Sequence, residues 1–341
     1  MSRALLGVLL FSGLTVGCDE HRSLPKCTGA PGEVLVVMTK GHWNSGPGGA
    51  LRTTLGEWLP RLPQREHRFD LAQVPPEQFG SVLLTHRNLL IARIGVGDSS
   101  GVYVMRDVHS QGQIIVQINA PTVATWMESF NKKARTIMDR IDDAERDRLI
   151  ELHEGSRDNA LTASVQHALG FAIDVPMGYH VVRQDSNMAW LQQDQVMSGA
   201  GLEHDVVRGL LLYHFPYTSD STFTVDYLVN ERDSITHTYV EGPNAGSYMI
   251  VQRGFGGMDL MPLANGLSID SRFTYRMRGL WGMHGAKMGG PFVQLSMVDT
   301  VHQRVICADG YIFSPQFDKR EPMRDLEATC WSIRTINTPS P

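Results

Sequence analysis

Cys18 is the first residue of this chain whose type and position predict specific chemistry. A basic residue and an apolar run precede it, and Gly17 supplies the small side chain that a signal peptidase accepts. This layout is typical of a signal peptide, residues 1–17, that ends in a bacterial lipobox. It predicts that the Cys18 thiol is lipidated and becomes the new N-terminus. An ordinary cleaved signal with an incidental cysteine is the alternative, because Thr15 replaces the usual leucine.

Lipidation would fix the compartment of the protein. Acyl chains on Cys18 would bury methylene groups in a bilayer and hold the body there. The membrane is therefore the first partner that we expect, and the predicted location is the cell envelope, at the outer membrane facing the periplasm. Residues 18–32 are rich in Pro, Gly and charge, and they predict a flexible lipidated tether.

The segment 278–292 has the most distinctive composition in the chain. It combines Arg278, Trp281, His284 and Lys287 with five glycines. An indole can stack on a sugar or a lipid headgroup, and the two cations can hold an anion. The alternative is a hairpin connection whose glycines allow positive φ and whose Trp281 fills the core.

Two further positions are candidates for binding. Trp43 lies in a Gly-rich loop, residues 41–50, that lacks the Lys and the Ser or Thr of a phosphate-binding loop. The loop is therefore better explained by turn-forming glycines. His86 and Arg87 form a polar pair before a predicted strand, where they present a binding group or shape a turn.

The sequence predicts no metal site, no cofactor and no recognisable catalytic residue. The 13 histidines are scattered, and none belongs to an H-E-x-x-H motif. Ser198 lacks the Gly two places earlier that a nucleophile elbow needs. An enzyme is therefore the less favoured interpretation.

Three cysteines remain if Cys18 carries lipid. Cys27 lies in the tether, whereas Cys307 and Cys330 lie in the globular part. An envelope location permits disulfides, and Cys307–Cys330 is the predicted pair. Two buried unpaired thiols are the alternative.

The composition is that of a globular protein with two domains. The chain has 341 residues, 42% hydrophobic and 20% charged, with a net charge of -5. This length suits about two domains, and the absence of a basic stripe argues against nucleic acid as a partner. We place an N-terminal αβ domain at residues 33–158 and a C-terminal αβ domain at residues 159–336.

Hydrophobic patterns predict the elements that would position the candidate residues. The apolar run 33–38 reads as a buried strand, and apolar residues at helical spacing predict a long helix from about Thr122 to Glu154. The second half predicts mainly antiparallel strands, followed by a closing helix over 318–334. Along that helix Arg324 and Glu327 are spaced to pair with each other. The predicted class is α+β with two mixed halves.

Several short segments resemble a known family when they are taken together in order. They include residues 33–38, 86–88, 278–281, 288–292 and 319–328. The chain resembles the uncharacterised lipoprotein family of Bacteroidetes-type bacteria that is called domain of unknown function 4837. The resemblance implies an envelope lipoprotein and supplies no catalytic residues.

Three hypotheses follow for the function, and one of them is a small-ligand binding module without chemistry, which would show a closed apolar pocket. The favoured one is a non-catalytic, membrane-tethered binding or assembly protein whose partner is an envelope protein, a glycan or a lipid. The alternative is an envelope hydrolase whose site is formed by the Trp43 loop, the His86–Arg87 pair and the segment from Trp281 to Lys287. The hydrolase requires His86, His284 and a carboxylate to meet in one cleft.

Overall fold

Two large β-sheets, one in each half of the chain, organise the computed structural model, which describes residues 24–199 and 201–336. Sheet 1 contains β1 (Glu33–Val37), β2 (Asp70–Val74), β3 (Asn88–Ile94), β4 (Gly101–Arg106) and β5 (Ile114–Ala120). The strand order is β2-β1-β3-β5-β4, with β4 antiparallel to β5 and the other pairs parallel. The helices of this half are α1 (Lys40–Trp43), α2 (Gly46–Leu55) and α3 (Val123–Gly155).

Burial on both faces explains why β1 is continuously apolar. Val34 and Val36 pack in the same core cluster as Trp126 and Phe130 of α3. Leu35 and its neighbours face the opposite side and form a smaller cluster. A central parallel strand is covered on both faces and needs no polar alternation. Helix α3 begins with a capping box between Thr122 and Thr125, so its predicted start is confirmed.

Sheet 2 fills the second half and is antiparallel. Its strands are β7 (His180–Gln184), β8 (Met188–Gly199), β9 (Leu202–Pro216), β10 (Tyr248–Val251), β13 (Leu263–Ile269), β14 (Arg272–His284), β15 (Gly289–Asp299) and β16 (Arg304–Phe313). Along the sheet the order is β10-β14-β15-β16-β9-β8-β7, and β13 also pairs with β14. Two small pairs complete the strands: β6 (Phe171–Ala172) with β17 (Arg334–Thr335), and β11 (Gly254–Phe255) with β12 (Met258–Asp259).

Helices cover sheet 2 on both faces. They are α4 (Asn159–Leu169), α5 (Val225–Tyr239) and α6 (Arg320–Trp331). Strand alternation sends Ala308 of β16 into the core cluster that contains residues of α4 and α6, and Cys307 into the cluster beneath α5. Helix α6 also packs against α3, and it therefore joins the two halves. The α+β class and the antiparallel second half are confirmed.

The described part of the tether is attached to the body. The backbone N–H of Thr28 donates to Thr85 O at 2.9 Å, and that of Gln111 donates to Pro25 O at 2.8 Å. Further along, Gly32 N donates to the buried Glu145 carboxylate at 3.1 Å. These bonds hold residues 24–32 against sheet 1 instead of leaving them as a free spacer. Cys18 and the signal peptide lie outside the described residues.

Candidate functional site

A cleft between the two halves is the candidate functional site. Its cavity has a volume of about 280 Å³. Helix α3 and the loop after α2 contribute from the first half, while β13, β14, β15 and α6 contribute from the second. The lining residues are Leu59, Pro60, Arg61, Leu62, Arg68, Arg135, Asp139, Asp142, Asp143, Glu145, Arg146, Asn265, Leu267, Arg276, Arg278, Pro291, Phe292, Arg320, Met323, Arg324, Glu327 and Trp331.

The charge of the lining is its main chemical property. Eight of the lining residues are arginines and five are carboxylates, while eight others are apolar. Arginine presents planar N–H donors that match carboxylate and phosphate oxygens. Three of these arginines also pair with carboxylates outside the lining: Arg68 with Glu57, Arg320 with Asp70 and Arg324 with Glu321. A concave site with apolar walls is suited to a small anion where guanidinium groups stay free of such partners.

The start of α6 is fixed to the first half by a carboxylate. Glu66 accepts the backbone N–H groups of Lys319 and Arg320, each at 2.8 Å. An anion at a helix N-terminus satisfies unpaired N–H groups and favours the helix dipole. Arg320 adds an ion pair with Asp70 at 2.6 Å, and Arg324 donates to Arg68 O at 2.7 Å. These bonds position the charged face of α6 along the cleft.

Glu327 lies between two arginines of β14. Its Oε1 accepts from Arg276 Nη1 at 2.8 Å, and its Oε2 accepts from Arg278 Nη2. Burial by itself would raise the pKa of Glu327, but the charges of Arg278 and Arg276 outweigh it and lower the pKa from 4.5 to about 2. The carboxylate is therefore ionised at neutral pH and holds the two guanidinium groups in place.

Some guanidinium N–H groups in the cleft have no partner among the residues that the structure describes. Arg278 uses only Nη2 for Glu327, and Arg61 uses only Nε, which donates to Met261 O at 2.9 Å. Among the described residues, no carboxylate pairs with Arg61. Arg146 stacks on the Trp331 ring at 3.7 Å, and its buried Nε has no hydrogen-bond partner in the described chain. The free N–H groups of Arg61 and Arg278 are therefore the ones that a ligand could use.

The carboxylates of the cleft are engaged in ion pairs. Their partners are Arg135 for Asp139, Arg68 and Arg324 for Asp142, Arg146 for Asp143, Arg148 and Arg87 for Glu145, and Arg276 and Arg278 for Glu327. A general acid needs a raised pKa, whereas the arginine partners of Glu145 and Glu327 lower the pKa of both carboxyl groups. The lining also contains no Ser, Cys, His or Lys. The arrangement suits binding better than acid–base or nucleophilic chemistry.

Comparison with known proteins supplies the family. The model of the domain of unknown function DUF4837 matches residues 158–332, just over half of the 341 residues.

The chain belongs to this family.

The model of a second domain of unknown function, DUF8532, matches residues 27–154 of the same chain. No curated protein matches the chain.

Solved structures give only weak likenesses to the DUF4837 protein. A point mutant of the protein Mog1 shares 10% identity over 50% of this chain and 92% of its own, with a TM-score of 0.30. The Ran-binding protein Mog1p of Saccharomyces cerevisiae shares 8% identity over 49% and 90%, with a TM-score of 0.28. A protein from Bacteroides thetaiotaomicron shares 6% sequence identity over 50% of this chain and 47% of its own, with a TM-score of 0.19. Likenesses of this strength show no shared function.

Of the seven binding residues predicted from the sequence, Arg278 alone lines the cleft of the DUF4837 protein. Trp281 is 3% exposed, and its Nε1 donates to Ile312 O at 3.2 Å. It fills the core, as the alternative interpretation of its segment predicts. His284 lies beside Tyr248 with ring centroids 4.9 Å apart, and Lys287 is exposed in the turn after β14. At about 3.3 Å per residue, His284 is about 20 Å along the strand from Arg278.

The His86–Arg87 pair has a structural position. His86 is buried, with Nδ1 3.1 Å from Asn88 O and Nε2 3.4 Å from the Glu33 carboxylate. Arg87 lies 3.4 Å from the Glu145 carboxylate. These contacts link the start of β3 to β1 and α3, so the pair shapes the fold.

The three loops proposed for a hydrolase site are not brought together. Trp43 ends helix α1, which follows β1. The predicted Gly-rich loop of residues 41–50 is wrong because most of it is helical. The Arg52 guanidinium of α2 lies over the Trp43 ring at 4.6 Å. His86 precedes β3, which is parallel to β1, so the two residues lie at opposite ends of sheet 1. His284 belongs to sheet 2. The hydrolase hypothesis requires His86 and His284 to meet, but in the described structure His86 contacts Asn88 and Glu33 whereas His284 lies against Tyr248.

The predicted Cys307–Cys330 disulfide is absent, since both cysteines are buried free thiols. Cys307 lies beneath α5, where its Sγ is 3.3 Å from Ser296 Oγ. Cys330 lies on α6 in the core cluster of the opposite face. Because sheet 2 separates the two side chains, the prediction is wrong and its alternative, two unpaired thiols, describes the structure.

Among the described residues, no helix is long and apolar enough to cross a membrane. Within the same residues, no group of three or more His, Cys, Asp or Glu side chains is arranged to hold a metal ion.

Proposed function

We propose that this protein is an envelope lipoprotein that binds a small anionic ligand in the cleft between its two halves. Lipid on Cys18 would hold it in the membrane, at the outer membrane facing the periplasm. The observation that carries the binding proposal is that, among the described residues, Arg61 pairs with no carboxylate and Arg278 keeps N–H groups without a partner, both at a cavity of about 280 Å³. Carboxylate and phosphate groups are the anions that guanidinium pairs recognise.

Binding rather than catalysis is favoured by the chemistry of the cleft. The lining residues that bear charge are arginines, which do not exchange protons near neutral pH, and carboxylates in ion pairs. The eight apolar lining residues add a surface for the uncharged part of a ligand. A glycan, lipid or protein partner would therefore enter the cleft through an acidic group.

Calorimetric titration of the purified protein with phosphate, sulfate, di- and tricarboxylates tests the binding proposal. Arg278→Gln and Arg61→Gln remove cleft donors, whereas Arg106→Gln is a control for charge because Arg106 pairs with Asp147 on the surface. We expect each cleft variant to weaken binding about tenfold, the loss of one charge-assisted contact. Equal binding by all three variants, or no binding of any anion by the wild type, would rule out the cleft as an anion site.

The anchor has its own test. Mass spectrometry of the N-terminal peptide from a native membrane fraction should show acylation at Cys18. Recovery of the uncut chain from the cytosol would contradict the anchor while leaving the anion site intact.

A further inference from the structure

The point where the tether joins the body sets a limit on how far the body can lie from a membrane. Residues 24–28 are held by three backbone hydrogen bonds, Thr28 N to Thr85 O at 2.9 Å, Arg87 N to Thr28 O at 2.8 Å and Gln111 N to Pro25 O at 2.8 Å. Five residues separate Leu24 from Cys18 in the sequence. Even a fully extended chain of that length spans no more than about 20 Å.

Exposed apolar side chains lie on the segments that meet at this attachment point. Leu24 is 36% exposed, Val82 83% and Val108 41%, and Val82 is the most exposed large apolar side chain of the described residues. These three residues are called the anchor-side surface below. Their segments are joined, because Thr85 Oγ1 donates to Val82 O at 3.3 Å and Ser110 Oγ donates to Thr85 O at 3.0 Å.

The topology of sheet 1 places these segments at one end. Strands β3 and β5 are parallel and pair from Asn88 with Ile114, so the loops before them lie at the same edge. Val82 precedes β3, and Val108 lies in the connection from β4 to β5. The exposed Lys26 adds a positive charge to this edge.

We propose that the anchor-side surface contacts the lipid bilayer that carries the Cys18 anchor, and that this contact sets the orientation of the body. The inference rests on the lipid anchor of the proposed function and is independent of the ligand in the cleft. The short tether keeps this edge near the bilayer. Apolar side chains then enter the interface while Lys26 meets anionic headgroups.

Two hairpins expose apolar side chains to a similar extent as the anchor-side surface. The tip of the β8–β9 hairpin exposes Val196 at 64% and Leu202 at 65%, and the β11–β12 hairpin exposes Phe255 at 70% and Met258 at 61%. Exposure therefore does not distinguish the three sites. Within the described chain, the anchor-side surface is the one whose loops are hydrogen-bonded to the tether.

Hydrogen exchange of the full lipidated protein, with and without vesicles of phosphatidylethanolamine and phosphatidylglycerol, tests this proposal. We expect exchange to slow several-fold in residues 80–86 and 107–112 on vesicles, with no change at 196–202 or 255–258. A variant with Val82→Asp and Val108→Asp should lose that protection and remain folded, because both side chains are exposed. Val196→Asp is the matched control and should keep it.

The possible results separate the surface from the anchor. An acylated protein that is protected at 196–202 or 255–258, or at none of these segments, overturns the anchor-side surface and leaves the lipoprotein proposal standing. A protein recovered from native membranes without acylation at Cys18 removes the anchor, and the inference falls with it.

Discussion

Replacing Glu327 with Gln changes the charge at the centre of the cleft without changing the size of the side chain. The native carboxylate accepts from Arg276 at 2.8 Å and also from Arg278. Its pKa falls from 4.5 to about 2, which corresponds to about 3 kcal/mol at about 1.36 kcal/mol per pKa unit. We therefore expect Glu327→Gln to lower the free energy of unfolding by about 3 kcal/mol at pH 7.

The pH dependence of this loss has a definite sign. A carboxylate whose pKa is lower in the folded state contributes its full stability above its unfolded pKa of 4.5. That contribution disappears as the pH falls toward the folded value of about 2. The difference between wild type and Glu327→Gln should therefore shrink steadily between these two pH values.

Urea unfolding followed by circular dichroism at several pH values measures the difference directly. Asp139→Asn is the control, because Asp139 is 49% exposed in a surface pair with Arg135 and should matter by less than about 0.5 kcal/mol. Titration with phosphate should also show tighter binding to Glu327→Gln, since two guanidinium groups lose their internal counterion. If Glu327→Gln lowers the free energy of unfolding by less than about 1 kcal/mol at pH 7, the assigned ion pairs are refuted. A difference that stays constant as the pH is lowered would refute them as well.

Three further predictions concern other buried contacts of the fold. Asp309→Asn should cost about 3–5 kcal/mol in urea unfolding because it leaves the fully buried Arg232 without its partner, and a smaller loss would show that water reaches this pair. Glu66→Ala should cost about 1–2 kcal/mol by the same assay and should expose the start of α6 to hydrogen exchange, whereas unchanged exchange there would contradict the cap. Burial raises the pKa of Cys307 to about 12 and that of Cys330 well above 9.0, so maleimide should label neither thiol in the native protein and both after unfolding; one lasting disulfide would contradict this.

Elements with a simple apolar period could be predicted from the sequence. The continuous apolar run of β1 and the helical spacing of Trp126, Phe130 and Ile137 in α3 locate those elements, and both are confirmed. Helix α5 gave no such signal, because the residues that it buries include Arg232 and Thr236. A buried face that carries a charge and a hydroxyl breaks the pattern on which such predictions depend.

Strand β2 could not be predicted from the sequence, for a different reason. It is a five-residue edge strand, and its sequence contains Asp70 and Gln73 with Pro75 directly after it. Edge strands bury less surface and are short, so their sequences resemble those of loops. The loop residue Arg61, which lines the cleft, lies in the irregular stretch before this strand.

Only some of the residues that form the cleft could be predicted from the sequence. Arg276 and Arg278 alternate along β14 and therefore point to one face, which is a signal that the sequence contains. Their partner, Glu327, could not be predicted from the spacing of residues along one element. The expected pair of Arg324 with Glu327 is wrong, because Glu327 binds the β14 arginines and Arg324 binds Glu321 at 2.8 Å. Pairs between elements far apart in the chain depend on packing that local spacing does not specify.

The position of α6 connects the two family regions to the cleft. The helix lies within residues 158–332, the DUF4837 region, whereas the carboxylate that caps it, Glu66, lies within residues 27–154. Arg324 likewise meets Asp142 of α3 at 3.3 Å. Because one wall of the cleft comes from each region, neither region contains the site by itself. The hydrogen bond from Arg61 Nε to Met261 O also joins the two regions, so this contact contributes both to stability and to the position of a donor in the cleft.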